Sequence, residues 1–201
     1  MGSGGTRTPD KIANDVVAAG EILTDAQVDV ICLQGTGIVM ERGLSGEGEL
    51  VASICKATKT PTYTAAQAAI EALHAMNMQR IVLINPLGDI AIQREQTYLE
   101  ALGFSVIHSI GLGRQEQSAR IPSKTWLDAA KNNDRADADG FFLSGSNTTM
   151  FEAVERIEKE LGKPVVTSVQ ASLWAGIRRV LGPANAYEVL PSGIGNLFIA
   201  G

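Results

Sequence analysis

The feature that most constrains the fold of this chain is a segment that occurs twice. Residues 61–70 and 164–173 share the pattern P-x-x-T-x-x-Q-A-x followed by Ile or Leu. Each copy follows an apolar run that ends in Leu, any residue, Gly and a hydroxyl residue, at 33–36 and at 143–146. Because both elements recur in the same order, we expect a duplicated α/β unit whose halves face each other across a pseudo-twofold axis. The alternative is that a strand, a glycine turn and a helix recur by chance, as they do in many α/β chains.

Short apolar runs alternate with amphipathic windows along the rest of the sequence. Strands buried on both faces are predicted at 28–33, 80–84, 104–107, 140–143 and 164–166. Helices are predicted near 8–26, 44–57, 64–77, 90–102, 123–132, 148–161 and 168–181. This alternation with short loops predicts an α/β protein with parallel sheets. The expected division is a flexible leader at 1–7, a first lobe of 8–79 with 168–201, and a second lobe of 80–167.

Composition excludes several classes of function. The chain has 17 Lys and Arg against 22 Asp and Glu, a net charge of −5, and no basic block, so neither nucleic acid nor an anionic membrane is an expected partner. Its apolar runs fall far short of the roughly 20 residues that a bilayer requires. Cys32 and Cys55 form no CxxC motif, and with two histidines they predict no metal site. A cytoplasmic protein without a metal or other cofactor is expected.

The two glycine turns are the candidate ligand site. In open parallel sheets ligands bind at the carboxyl ends of the strands, beside helix N-termini. Gly35 and Gly145 allow close backbone approach there, and Thr36, Ser146 and Asn147 add side-chain donors. Such donors suit a carboxylate or a developing oxyanion, and two facing clusters suit a small molecule with two acidic groups. The alternative is that Ser, Thr and Asn simply cap the following helices.

The segments 33–37, 61–73, 80–86, 143–147 and 160–166 give the chain a family resemblance from about Thr8 onwards. In order and spacing they resemble the Asp/Glu racemase superfamily, in the branch that contains arylmalonate decarboxylase and maleate isomerase. The resemblance implies two facing α/β lobes with a cofactor-independent site between them. It also implies that an opening segment, including the first parallel strand, is missing, which would expose a sheet edge.

The resemblance also implies an atypical site. Racemases and isomerases of this superfamily place a cysteine at each turn, whereas the matching positions here are Gly35 and Gly145. Glycine has no titratable group, so two-base racemisation and thiolate addition are not expected there. The donor framework remains. Catalytic roles are predicted for Ser146, Asn147 and Asn85, and substrate contacts for Gly35, Thr36, Gly37, Gly145 and Thr148.

We therefore expect an enzyme that acts on a small carboxylic or dicarboxylic acid by stabilising an enediolate or a tetrahedral oxyanion. Decarboxylation fits better than isomerisation, because loss of carbon dioxide needs oxyanion stabilisation first and an acid only afterwards. The alternatives are hydrolysis by a water held at Ser146 and Asn147, a non-catalytic dicarboxylate binder, and a nucleotide-binding protein. The chain has neither the glycine fingerprint nor the lysine-bearing phosphate loop that a nucleotide-binding protein of this class would need. Whether the chain forms a homo-oligomer stays open.

Overall fold

A computed structural model describes residues 8–186, 188–190 and 193–199, so the predicted leader at 1–7 lies outside the described residues. The helices are α1 (Pro9–Thr24), α2 (Thr36–Thr58), α3 (Ala65–Ala75), α4 (Asp89–Ala101), α5 (Ser123–Asn132), α6 (Val154–Leu161), α7 (Ser168–Leu181) and α8 (Pro183–Ala186). The strands are β1 (Ile31–Leu33), β2 (Thr62–Thr64), β3 (Arg80–Asn85), β4 (Ser105–Gly111), β5 (Gly140–Leu143) and β6 (Val165–Thr167). Short 3₁₀ segments lie at Gln115–Arg120, Met150–Ala153 and Asn196–Phe198. No helix in the described ranges is long and apolar enough to cross a membrane.

The strands form two sheets, and within each sheet all neighbouring strands are parallel. One sheet consists of β1 and β2, and the other has the order β4-β3-β5-β6. The α/β class with parallel sheets is therefore confirmed. β5 therefore lies between β3 and β6, whereas β1 pairs only with β2 among the described strands.

The duplicated segment forms the same structure twice. In the first copy Leu33 of β1 pairs with Thr64 of β2, and in the second Leu143 of β5 pairs with Thr167 of β6. The strand pairs therefore have the same register relative to the repeated motif. Each glycine turn follows the first strand of its pair, and each helix follows the second.

The threonine and glutamine that the two copies share form helix caps. Thr64 and Thr167 accept hydrogen bonds from the backbone N–H groups of Gln67 and Gln170, and the two glutamine side chains accept from the threonine N–H groups in return. These capping boxes fix the points at which α3 and α7 begin.

The two helices of the repeat pack against each other. α3 buries an alanine face completely and α7 buries further alanines, so small side chains allow the helices to approach closely. The shared core extends from there to β3 and α4, and a second cluster lies between the large sheet and helices α5 and α6. α7 contacts both α3 and β6. The assignment of 168–201 to the first lobe stays a prediction.

Several elements differ from the sequence-based expectation, including β1, which begins only at Ile31, and β4, which extends to Gly111. β2 was not predicted, because its three residues lie beside a strong helical pattern. α2 begins at Thr36 rather than near 44; its glycines lower helix propensity, and Gly43 has non-helical dihedrals (φ 69°, ψ 179°) that kink it. The helix predicted from 148 begins only at Val154, after the 3₁₀ segment Met150–Ala153, because the polar residues before it favour turns.

Candidate active site

The two glycine turns line one cavity of about 390 Å³. Gly35 (φ 115°) and Gly145 (φ 134°) both have positive φ values, which glycine adopts readily and side chains disfavour. The prediction that the turns share one cleft is confirmed. The lining residues are Gly35, Thr36, Asn85, Pro86, Leu87, Ala91, Arg94, Glu95, Ser118, Ser144, Gly145, Ser146, Asn147 and Thr148.

A buried hydrogen-bond chain joins the turns. The Thr36 hydroxyl donates to Ser168 Oγ (2.9 Å), and the Gly145 N–H donates to the same oxygen (3.2 Å). Thr36 is 2% exposed. Its hydroxyl hydrogen is thus committed to Ser168, which differs from the expectation that it would face a ligand. What Thr36 offers the cavity is its backbone.

The start of α2 supplies backbone donors to the first turn. Gly35 is the N-cap and makes no side-chain cap bond, and the first helical hydrogen bond runs from Val39 N–H to the Gly35 carbonyl. The N–H groups of Thr36 and Gly37 precede that bond, so the helix does not use them. They are suited to an anionic oxygen.

Ser146 and Asn147 are exposed where they line the cavity. The 3₁₀ segment after them has Thr149 as its N-cap, and neither this segment nor α6 has a side-chain cap bond. The alternative in which Ser146 and Asn147 cap a helix is therefore wrong. Their side chains are placed to contact a molecule in the cavity.

Thr148 has a buried hydroxyl without a hydrogen-bond partner in the structure, at the wall of the same cavity. Buried hydroxyl groups normally have a partner, because an unsatisfied one costs about 1–3 kcal/mol. This hydroxyl can gain its partner from a ligand. The residue had been predicted as a substrate contact.

Glu95, which the sequence analysis missed, lies in the cavity wall with 2% exposure. The Ser144 hydroxyl donates to its Oε1 (2.9 Å) and Asn85 Nδ2 donates to its Oε2 (3.1 Å). Burial raises the pKa of Glu95 above its ordinary value of 4.5, and the two hydrogen bonds offset this only in part. The available signal was its spacing from Ile92 and Leu99, which places all three on one buried helix face.

Asn85, which was predicted to be catalytic, has its side-chain amide engaged within the protein. Its Oδ1 accepts from the Leu87 N–H (3.0 Å), while its Nδ2 donates to Glu95. Both ends of the amide are occupied, and the residue is 1% exposed. Asn85 holds one carboxyl oxygen of Glu95, and its catalytic role stays a prediction.

The remaining lining residues are three apolar ones, the polar Ser118 and one cation. Pro86, Leu87 and Ala91 line the cavity beside Arg94, which is exposed. An acid with an apolar substituent would match this combination of surfaces.

The cysteines lie away from this site. Neither Cys32 nor Cys55 lines the cavity, and Cys32 Sγ accepts a hydrogen bond from Gln34 Nε2 (3.4 Å). Burial raises the pKa of the Cys32 thiol, with hydrogen bonds to Tyr63 and Ser172 opposing the rise. Such a thiol is a weak nucleophile. Among the described residues, no group of three or more His, Cys, Asp or Glu could hold a metal ion.

Comparison with known proteins gives consistent matches. A sequence profile of the arylmalonate decarboxylase family matches residues 5–197. The arylmalonate decarboxylase of Bordetella bronchiseptica is 29% identical, over 96% of this chain and 82% of that protein.

Solved structures agree with this match. A structure of unliganded arylmalonate decarboxylase has a TM-score of 0.84 and 28% identity, covering 100% of this chain and 86% of its own. The maleate isomerase Iso of Pseudomonas putida S16, solved as a C-to-A variant with maleate, has a TM-score of 0.86, covering 96% of this chain and 80% of its own. At 20% identity, the second match shows a shared fold alone.

Proposed function

The chain belongs to the arylmalonate decarboxylase family, and from that premise we propose that it is a cofactor-independent decarboxylase of small dicarboxylic acids. The substrate class is a malonate, with or without an apolar substituent on its α-carbon. The reaction is carried by stabilisation of an enediolate between the two glycine turns.

The observation that carries the proposal is the unpartnered, buried Thr148 hydroxyl in the cavity that both turns line. A ligand with acceptor oxygens supplies the missing partner. Maleate, found with a maleate isomerase of the same fold, is one small dicarboxylate. Malonates have the same two carboxylates on a shorter chain.

In the expected binding mode the two carboxylates of the substrate have different roles: one stays bound and the other leaves as carbon dioxide. One carboxylate accepts hydrogen bonds from the N–H groups of Thr36 and Gly37 at the start of α2 and from Thr148. As the bond to the other carboxylate breaks, its electron pair moves into the first, which becomes an enediolate. Donors that are already in place stabilise this developing charge more than they stabilise the ground state.

The leaving carboxylate needs the opposite environment. Carbon dioxide is neutral and apolar, so its departure is favoured where charge is not solvated. Pro86, Leu87 and Ala91 form an apolar wall of this kind. The same wall accommodates an α-substituent. Arg94, at the exposed side, favours entry of an acid.

Isomerisation fits this site less well. Exchange of a proton between two faces, or addition of a thiolate, needs a side chain at the turns, and Gly35 and Gly145 supply none. A non-catalytic binder would use the same donors without bond cleavage. A hydrolase would use Ser146 and Asn147 to hold a water.

The experiment incubates the protein with malonate, an arylmalonate and maleate, follows products by NMR, and measures thermal stabilisation by each acid. Release of carbon dioxide with formation of the monoacid supports the proposal. Conversion of maleate to fumarate would favour an isomerase. Stabilisation without product would favour a binder. If no acid is converted and none stabilises the protein, the proposal is overturned.

The matched variants are Asn147→Ala, at the cavity, and Asn133→Ala, at a residue that does not line the cavity and is bonded to His108. Asn147→Ala is expected to raise KM or lower kcat. Asn133→Ala is expected to leave both unchanged in the folded protein. Equal loss in the two variants would argue that the effect is one of stability.

A further inference from the structure

Glu95 is a carboxyl group in the cavity wall for which the decarboxylation step described above has no use. It is held from two neighbouring strands of the large sheet. Asn85 ends β3 and Ser144 directly follows β5, and each donates to one carboxyl oxygen. Both partners line the cavity as well. This is a built arrangement of one acid and two fixed neutral groups.

The hydrogen-bond pattern determines where a proton on Glu95 resides. The Leu87 N–H can only donate, so the Asn85 oxygen faces it and the Asn85 amide nitrogen faces Glu95 Oε2. Oε2 is therefore an acceptor. The proton of the neutral acid belongs on Oε1, opposite the Ser144 hydroxyl at 2.9 Å, which can accept it. The Ser144 hydrogen is then free to be donated elsewhere.

We infer that Glu95 stores the proton that the enediolate takes up, and that Ser144 passes it to the α-carbon. The inference rests on the proposed decarboxylation and adds its proton source. Glu95 acts through Ser144 and is a positioning residue in that sense, while Ser144, which is buried in the cavity wall, is the group proposed to contact the intermediate. Glu95 and Ser144 thus supply the acid that Gly35 and Gly145, which have no side chain, cannot supply.

The step balances. The C–C bond to the leaving carboxylate breaks and carbon dioxide departs, leaving its electron pair in a dianionic enediolate. A C–H bond forms as the Ser144 O–H bond breaks, and Ser144 takes the proton from Glu95 Oε1. The product is the monoacid anion and Glu95 is left ionised. A proton from water restores it before the next turnover.

Charges around Glu95 are compatible with this role. Burial raises the pKa of Glu95, so the acid form persists above the usual range of a carboxyl group. Arg94 lies beside it on α4 and lines the same cavity. On the packed elements, Glu47 of α2 accepts a hydrogen bond from Tyr98 (2.6 Å), and His108 of β4 is bonded to Asn133 (2.8 Å).

The test variant is Glu95→Gln. A glutamine can accept from Asn85 through its oxygen and donate to Ser144 through its nitrogen, so the cluster keeps its bonds and loses only the transferable proton. The matched control is Glu47→Gln, which is equally buried at 3% exposed and bonded by the hydroxyls of Thr64 and Tyr98, but does not line the cavity.

We expect Glu95→Gln to lower kcat by about 100-fold, the lower end of what an acid usually contributes, with little change in KM. Wild-type kcat should fall as pH rises through the raised pKa of Glu95, and this dependence should vanish in Glu95→Gln. With a prochiral disubstituted malonate, the variant should also lose enantiomeric excess, because water then protonates either face. Glu95→Asp should recover part of the rate, and Ser144→Ala should resemble Glu95→Gln.

Outcomes separate the inference from the function on which it rests. A folded Glu95→Gln that keeps wild-type kcat, pH profile and enantiomeric excess overturns the inference and leaves decarboxylation standing. Equal losses in Glu95→Gln and Glu47→Gln also overturn it, since burial alone would then explain the effect. A wild-type protein that decarboxylates none of the malonates overturns both.

Discussion

The Thr36 hydroxyl donates a 2.9 Å hydrogen bond to the Ser168 hydroxyl, which lies 132 residues away in the sequence. The first residue begins α2, after one glycine turn, and the second begins α7, in the other copy of the repeat. Ser168 Oγ also accepts from the N–H of Gly145, in the other turn. One serine side chain thus bonds to both turns that line the cavity.

Replacement of this serine should weaken the whole protein. Ser168→Ala leaves the Thr36 hydroxyl and the Gly145 N–H without their acceptor in a buried position, so the free energy of unfolding should fall by about 1–3 kcal/mol. Chemical denaturation measures this. Ser53→Ala, which removes an exposed serine bonded within α2, should change it by less than about 0.5 kcal/mol. Similar values for the two variants would contradict a special role for Ser168.

Replacement of Thr148 should affect binding but not folding. Its hydroxyl has no partner among the described residues, so Thr148→Val loses no hydrogen bond seen in the structure and should be as stable as wild type or more so. A ligand hydrogen bond contributes about 1 kcal/mol, so affinity for a bound dicarboxylate should fall about fivefold. Calorimetry with malonate and thermal unfolding without it measure the two effects. Thr97→Val, outside the cavity, should leave affinity unchanged; an unaltered affinity in Thr148→Val would contradict the ligand contact.

The cysteines should be dispensable for turnover. Burial raises the pKa of Cys32, and neither cysteine lines the cavity, so no reactive thiolate is expected at the site. The double variant Cys32→Ala and Cys55→Ala should keep its kcat, at a cost in stability of about 1 kcal/mol. Activity is assayed at a temperature where circular dichroism shows both proteins folded. A folded but inactive double variant would identify a thiol as the reacting group.

A side chain at the second turn should be poorly tolerated. The sequence alone suggests that Gly145→Cys would add a proton donor, yet the φ of 134° is strained for any side chain, and a Cβ there would lie 3.2 Å from the Pro86 ring. We expect a loss of about 1–3 kcal/mol in the free energy of unfolding. Gly48→Ala, inside α2 with open space around it, should instead stabilise by up to about 1 kcal/mol. Urea denaturation compares them, and an unstrained Gly145→Cys would show that the turn can change its backbone.

Glu95 should make stability depend on pH. The pKa of Glu95 is raised in the folded protein above the ordinary 4.5, so the native state binds more protons than the unfolded state. The contribution of Glu95 to stability is therefore fully present below about pH 4.5. It is lost as pH rises through the raised pKa. Glu95→Gln removes the effect, so the stability of the variant relative to wild type should increase as the pH is raised above about 4.5. A constant difference in urea denaturation across this range would contradict the raised pKa.

The sequence predicted the parts of this fold that depend on local signals. The repeated Thr and Gln letters are capping residues of α3 and α7, and a cap is a contact within four residues. The strand ends and glycine turns followed from short patterns of the same kind. β2 escaped detection because three residues carry too little periodicity to be separated from the helix they precede.

The site could be predicted only in outline. The positions of Gly35, Gly145 and Thr148 follow from strand ends, which a linear pattern can locate. The setting of Glu95 could not be assigned in this way, since its hydrogen-bond partner Ser144 is 49 residues away. The commitment of the Thr36 hydroxyl to Ser168 is equally distant. In each case the residue type can be read from the sequence, but its hydrogen-bond partner is brought close only by the fold of the chain.

The paired capping boxes also bear on the order in which the molecule assembles. Each strand-to-helix unit carries its own start signal and closes its bonds over a few residues, at little cost in loop entropy. The tie between Thr36 and Ser168 closes a loop of more than half the chain. Secondary structure should therefore form early and the cavity last, as contact order implies. During slow heating the sequence of events reverses: catalytic competence should disappear while the helical signal of both halves persists.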